Sequence, residues 1–196
     1  MRQNLVKITT NAAVLFILIY SQSALAHVLS DESGWAHPLT GLDHILAMVA
    51  VGAWSAIIGG RGVWVIPSFF LIFMFLGGLV GFNQVELHYI EQGISISVIF
   101  LGIAVAIKGR VSVFLASICT ALFGMFHGYA HGYEIPVIDD VALYIAGFMI
   151  TTAVLHIVGL FSAHFLLKKA WGEKTLRLLG FLCAACGVYL LITIYQ

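Results

Sequence analysis

Six apolar stretches, each near the length that crosses a bilayer, follow one another along this 196-residue chain, and its lysines and arginines cluster at their ends. Hydropathy places them near 39–59, 63–82, 93–107, 111–132, 141–166 and 176–195, the third with a start that can extend earlier. Charged residues are 9% of the chain and apolar ones 61%, whereas a soluble domain carries roughly 25% charged residues. The expected fold is therefore all-α, a polytopic membrane helical bundle of six transmembrane helices after an N-terminal signal peptide. The short connections make it one domain.

The leader is read from residues 1–26. Arg2 and Lys7 precede the apolar run Ala12–Tyr20, and Ala24-Leu25-Ala26 offers small residues where a signal peptidase cuts. Cleavage there would leave His27 as the new N-terminus, an amine beside an imidazole. The alternative is an uncleaved first helix, against which stands an apolar run shorter than about 20 residues.

Charge then orients the bundle. One set of connections holds Arg61, then Lys108 and Arg110, then Lys168, Lys169, Lys174 and Arg177, with Glu173 as its acid. The opposite set holds Asp31 and Glu32, then Glu86 and Glu91, then Glu134, Asp139 and Asp140, with no lysine or arginine. The basic side belongs in the cytoplasm, so both mature termini should lie outside. Nine basic and nine acidic residues cancel, which leaves no field to hold a nucleic acid. Outside the leader, Asp43 is the one charge that belongs to neither set of connections.

Eight histidines are many for so apolar a chain, and ionisable or metal-binding groups inside a membrane are functional suspects. The run His37-Pro38-Leu39-Thr40-Gly41-Leu42-Asp43-His44 opens the first span. If it is helical, His37 and His44 share a face. The run His127-Gly128-Tyr129-Ala130-His131-Gly132-Tyr133-Glu134 closes the fourth, with the histidines one turn apart and Glu134 three residues on. Imidazole and carboxylate donors together suit nickel, cobalt or zinc. Antiparallel spans bring Asp43, His44, His127 and His131 to one depth, within about 10 Å of the outer surface. His156 lies deeper in the fifth span and His164 near its inner end, so that with His88 in an outer loop the histidines form a descending series. Against these readings stand ordinary ones: a Pro-opened helix start with Asp43 bonded to a neighbour, and histidines that bond carbonyls. Gly77 and Gly81, Cys183 and Cys186, and the methionines read as packing.

At these residues the chain resembles the HupE/UreJ family, hydrogenase and urease accessory membrane proteins that include nickel or cobalt permeases. The resemblance rests on His37-Pro38 through Gly41, Asp43 and His44 with Ala47–Gly52; on Phe126-His127-Gly128, Ala130-His131-Gly132 and Glu134-Ile135-Pro136; and on Gly147-Phe148, Thr151, Leu155-His156 and Gly159. It implies a non-enzymatic secondary permease in a bacterial inner membrane, importing nickel or cobalt for metalloenzyme maturation. The expected metal residues are His37, Asp43, His44, His127, His131, Glu134 and His156. The metal is cargo, and no prosthetic group is expected. In the larger nickel/cobalt transporters four residues separate a His from an Asp-His pair, whereas five separate His37 from Asp43, so that likeness is looser. Three rival readings remain: an intramembrane metal-dependent hydrolase, a haem-binding electron carrier, and a metal-binding accessory or sensor protein without transport. No G-x-x-x-x-G-K-[ST] phosphate loop occurs in the chain, so ATP does not drive transport within it. Oligomeric state is open, homo-oligomers included.

Overall fold

A computed structural model describes residues 34–107, 109, 111–135 and 140–196. The expected signal peptide, His27, Lys108, Arg110 and Asp139 lie outside them. A 3-10 turn, His37–Leu39, precedes six helices: α1 (Leu42–Ile58), α2 (Gly62–Phe82), α3 (Ile90–Ile107), α4 (Val113–Tyr133), α5 (Val141–Leu167) and α6 (Gly172–Thr193). A helix stands at each of the six expected apolar stretches, and α3 takes the earlier start that its sequence allows, at Ile90. Five helices are long and apolar enough to cross a membrane, whereas α1, at 17 residues, falls short by length. The reason is local: Pro38 and Gly41 stop a continuous helix from running back to His37. Gly41 caps α1 in an extended conformation, with φ −89° and ψ 121°.

Caps and breaks fix the other ends. Gly59 and Gly60 adopt positive φ, the left-handed region that glycine enters without a steric cost, and turn the chain from α1 into α2. Ser112 accepts a hydrogen bond from the Leu115 N–H at the start of α4, and Asp140 accepts one from the Leu143 N–H at the start of α5. Large apolar residues such as Phe75, Leu122, Phe161 and Leu178 line the outside, the reverse of a soluble protein and the surface that lipid solvates.

The most extensive pairings are α2 with α4, α3 with α6, and α1 with α5. Gly124, Gly128 and Gly132 form a stripe on α4 that meets Phe70, Met74 and Gly78 of α2; a β-carbon on Gly128 would overlap the Met74 carbonyl oxygen. Gly77 and Gly81 return the contact from α2 against Met125 and Tyr129. This is the small-residue packing that membrane helices use where burial against lipid gives no driving force. It has a consequence for chemistry. With one face of α4 pressed against α2, His127 and His131, each one residue before a stripe glycine and so about 100° round, turn toward α1 and α5.

Candidate metal site

The site begins with the segment ahead of α1, which docks on α5. The Thr151 hydroxyl donates to the Trp35 carbonyl at 3.0 Å, and Gly34 approaches the Tyr144 backbone too closely to accommodate a side chain. His37 is thereby carried over the end of the bundle. The shared helical face expected for His37 and His44 is not how they meet, because Gly41 interrupts the helix. They meet through a third residue: His37 Nε2 lies 2.9 Å from His131 Nδ1, and His131 Nε2 lies 2.8 Å from His44 Nδ1. One imidazole of α4 thus bridges the entry turn and α1.

The far end of this chain fixes its direction. His44 Nε2 lies 3.4 Å from the Thr152 hydroxyl, a long contact, and that hydroxyl donates to the Phe148 carbonyl at 2.9 Å. With its proton committed, Thr152 accepts from His44 Nε2–H. His44 Nδ1 then accepts from His131 Nε2–H, and His131 Nδ1 accepts from His37 Nε2–H. Three neutral imidazoles in one orientation satisfy every contact. The Phe148 ring packs against all three, with centroids 4.8 Å from His131, 5.3 Å from His44 and 6.0 Å from His37.

His127 and His156 continue inward, and both are almost fully buried. The His127 ring lies 5.6 Å from that of His44, and its Nδ1 bonds the Phe123 carbonyl at 3.0 Å. Its Nε2 has no hydrogen-bond partner, nor has either nitrogen of His156. Leaving a buried polar group unpaired costs about 1–3 kcal/mol, so three such nitrogens are an anomaly for residues that only pack. Phe70, fully buried, touches both rings, at 5.7 Å from His127 and 5.2 Å from His156.

The carboxylates are arranged differently from the sequence reading. Asp43 is half-buried, and its Oδ1 accepts from the backbone N–H of His44 at 2.8 Å, the neighbour bond of a helix first turn. The carboxylate grouped with imidazoles in ligating geometry is that of Glu134: one ligating atom each from His37, His131 and Glu134 lie within 4.8 Å of one another. Partial burial, then the negative charges of Glu91 and Asp43, push the Glu134 carboxyl above its ordinary range. Glu134 also borders an open vestibule lined by Glu86, His88, Glu91, Tyr129 and Tyr133 among others. His88 sits there, exposed, and the descending series ends at His156, because His164 is exposed at the opposite end of α5. Thr152 and the Phe148 ring, i+4 and i on α5, carry no ligand signature in the sequence, where a phenylalanine and a threonine in an apolar helix read as packing. The signal was their spacing, with both one turn or more before His156.

Fold and site together define a multi-pass helical membrane protein that collects imidazoles and carboxylates at one end of its bundle. The family model described as HupE / UreJ protein matches residues 15–190. Protein HupE of Rhizobium leguminosarum bv. viciae is 37% identical over 187 residues, covering 95% of this chain and 97% of that protein. The chain belongs to the HupE/UreJ family. No solved structure matches it.

Proposed function

We propose that this protein is a secondary permease that imports nickel or cobalt across a bacterial inner membrane to supply metalloenzyme maturation. The observation that carries the reading is the His37–His131–His44 chain with Glu134 within ligating reach of its outer end. Membership of a hydrogenase and urease accessory family supports the cargo, and the acidic vestibule supports an outward-facing entrance with the termini on the periplasmic side.

In this reading a hydrated dication collects in the vestibule and exchanges water first for Glu134 and His37 at the mouth. The lone pair that His131 Nδ1 offers to His37 is the one an entering ion takes, so ligation replaces that hydrogen bond and the His37 proton moves to its other nitrogen or to water. His44, His127 and Asp43 complete the holding site, and His156 receives the ion further in. One or two carboxylates partly offset the double charge while neutral imidazoles add donors without repulsion, which keeps the ion releasable. A dication moving toward a negative interior gains about 4.6 kcal/mol per 100 mV, twice the single-charge value, and that suffices to set direction.

Uptake of radiolabelled nickel and cobalt into proteoliposomes tests the proposal. His131→Ala should lower the rate at least about 100-fold, since it removes the shared ligand, and Asp43→Asn about 10-fold, in line with the usual effect of losing a ligand's supporting group. If both variants import as fast as the parent, the site is wrong.

A further inference from the structure

The imidazoles form a string in which each ring touches the next, and the string is broken once. His37, His131, His44 and His127 adjoin in that order, with successive centroids 4.9, 4.5 and 5.6 Å apart. Past His127 the ring contact is to Phe70, which has no donor and touches both His127 and His156. We propose that His156 is a second, separate cation station, distinct from the outer site and divided from it by the Phe70 ring, so that the protein holds two divalent ions at once. The proposal rests on the permease reading and deepens it.

Three observations support it. Both His156 nitrogens are buried without a hydrogen-bond partner, so the side chain keeps its donor capacity for something the fold does not itself provide. An apolar residue of similar size would avoid that cost. The surroundings also differ in kind from the outer site: α2, α4 and α5 contain no Asp or Glu along their lengths, so no carboxylate from these helices reaches this depth. A station of imidazole and retained water binds a dication more weakly than one with Glu134 and several histidines. Descending affinity is what release to the inner side requires. Finally, the backbones of α1 and α5 pass so closely at Gly52 and His156 that a β-carbon on Gly52 would strike the His156 carbonyl oxygen, which holds in place the stretch of α5 from which the imidazole projects.

Cobalt(II) titration of the purified full-length protein in detergent, read by visible absorption and by metal bound after equilibrium dialysis, tests this. The parent should bind two equivalents, the second at least about 10-fold more weakly. His156→Leu should lose the weaker one and keep the tighter, while its metal-free melting temperature stays level or rises, because leucine removes two unpartnered nitrogens. His131→Ala should lose the tighter one and keep the weaker. A parent that binds a single equivalent, or a His156→Leu protein that still binds two, overturns the inner station. So does a His156→Leu protein that melts lower and loses both ions, which makes the residue a packing element. Full retention of the tight equivalent in His131→Ala instead sinks the outer site and the permease reading built on it, whatever happens at His156.

Discussion

The α2–α4 pair and the α3–α6 pair are built with the same device and do different things. In both, glycines let backbones approach until no side chain fits between them: Gly124, Gly128 and Gly132 against α2, and Gly102 and Gly180 against Ala184 and Ala106. Beside the α4 stripe, one residue away at each repeat, stand His127 and His131. Beside Gly180 and Gly187 of α6 stand Leu179 and Cys186, and further along Cys183 finds its partner in the Val98 carbonyl 3.8 Å away. Close packing is thus indifferent to function. The neighbouring residue, rotated by 100°, decides whether a contact holds the fold together or also aims a ligand.

The strongest way to break that comparison is to fill both stripes. Gly128→Leu should abolish metal uptake and lower the melting temperature, because its side chain meets the Met74 backbone, and overpacking typically costs 1–3 kcal/mol or more. Gly180→Leu should lower the melting temperature comparably yet leave cobalt binding in place among the protein that folds. Equal loss of binding in both variants would mean that the two pairs are not separable. Thr152→Val, similar in shape but without the hydroxyl, should reduce uptake about 10-fold and cost about 1–3 kcal/mol of stability, since it removes the group that sets the His44 tautomer and leaves the buried His44 Nε2–H without its acceptor; kinetics with a melting curve check both halves.

Acidification should act on the histidine end alone. Protons compete with metal for imidazole and for the Glu134 carboxylate, so uptake should fall several-fold on acidification from about pH 7 to about pH 4. Glu134 adds to this in the same direction: its raised value means that the protonated form persists to higher pH, so its carboxylate is lost earlier on acidification than an ordinary glutamate's. Uptake that stays flat across the window contradicts imidazole ligation. The smallest effect belongs to Cys183→Ala, which should cost about 1 kcal/mol of stability or less and leave uptake unchanged, measured by the same melting and transport assays.

The helices were legible because a membrane enforces length and apolarity, and those are properties of a string of letters. The convergence of His44, His127 and His131 was legible too, since antiparallel spans of known length fix depth. What escaped was whatever depended on local backbone or on residues without a chemical signature. His37 arrives by a 3-10 turn and an extended glycine rather than along a helix, and periodicity cannot anticipate where Pro38 and Gly41 will break it. Asp43 stands out in the sequence as the acid beside a motif histidine, yet its oxygen is engaged by its own helix's N–H, and it is Glu134, just after α4, whose carboxylate lies within ligating reach of two imidazoles. Thr152 and Phe70 carry neither charge nor motif.

Tyr129 ties the rim of the entrance to α4. Its hydroxyl accepts from the Leu87 N–H and donates to the Val85 carbonyl, while Gln84 reaches the Tyr133 carbonyl at 3.3 Å. The loop between α2 and α3 is thus riveted to the same helix that bears His127 and His131. A shift of that helix on gripping or releasing an ion would drag the rim of the entrance with it, so door and handle move as one piece.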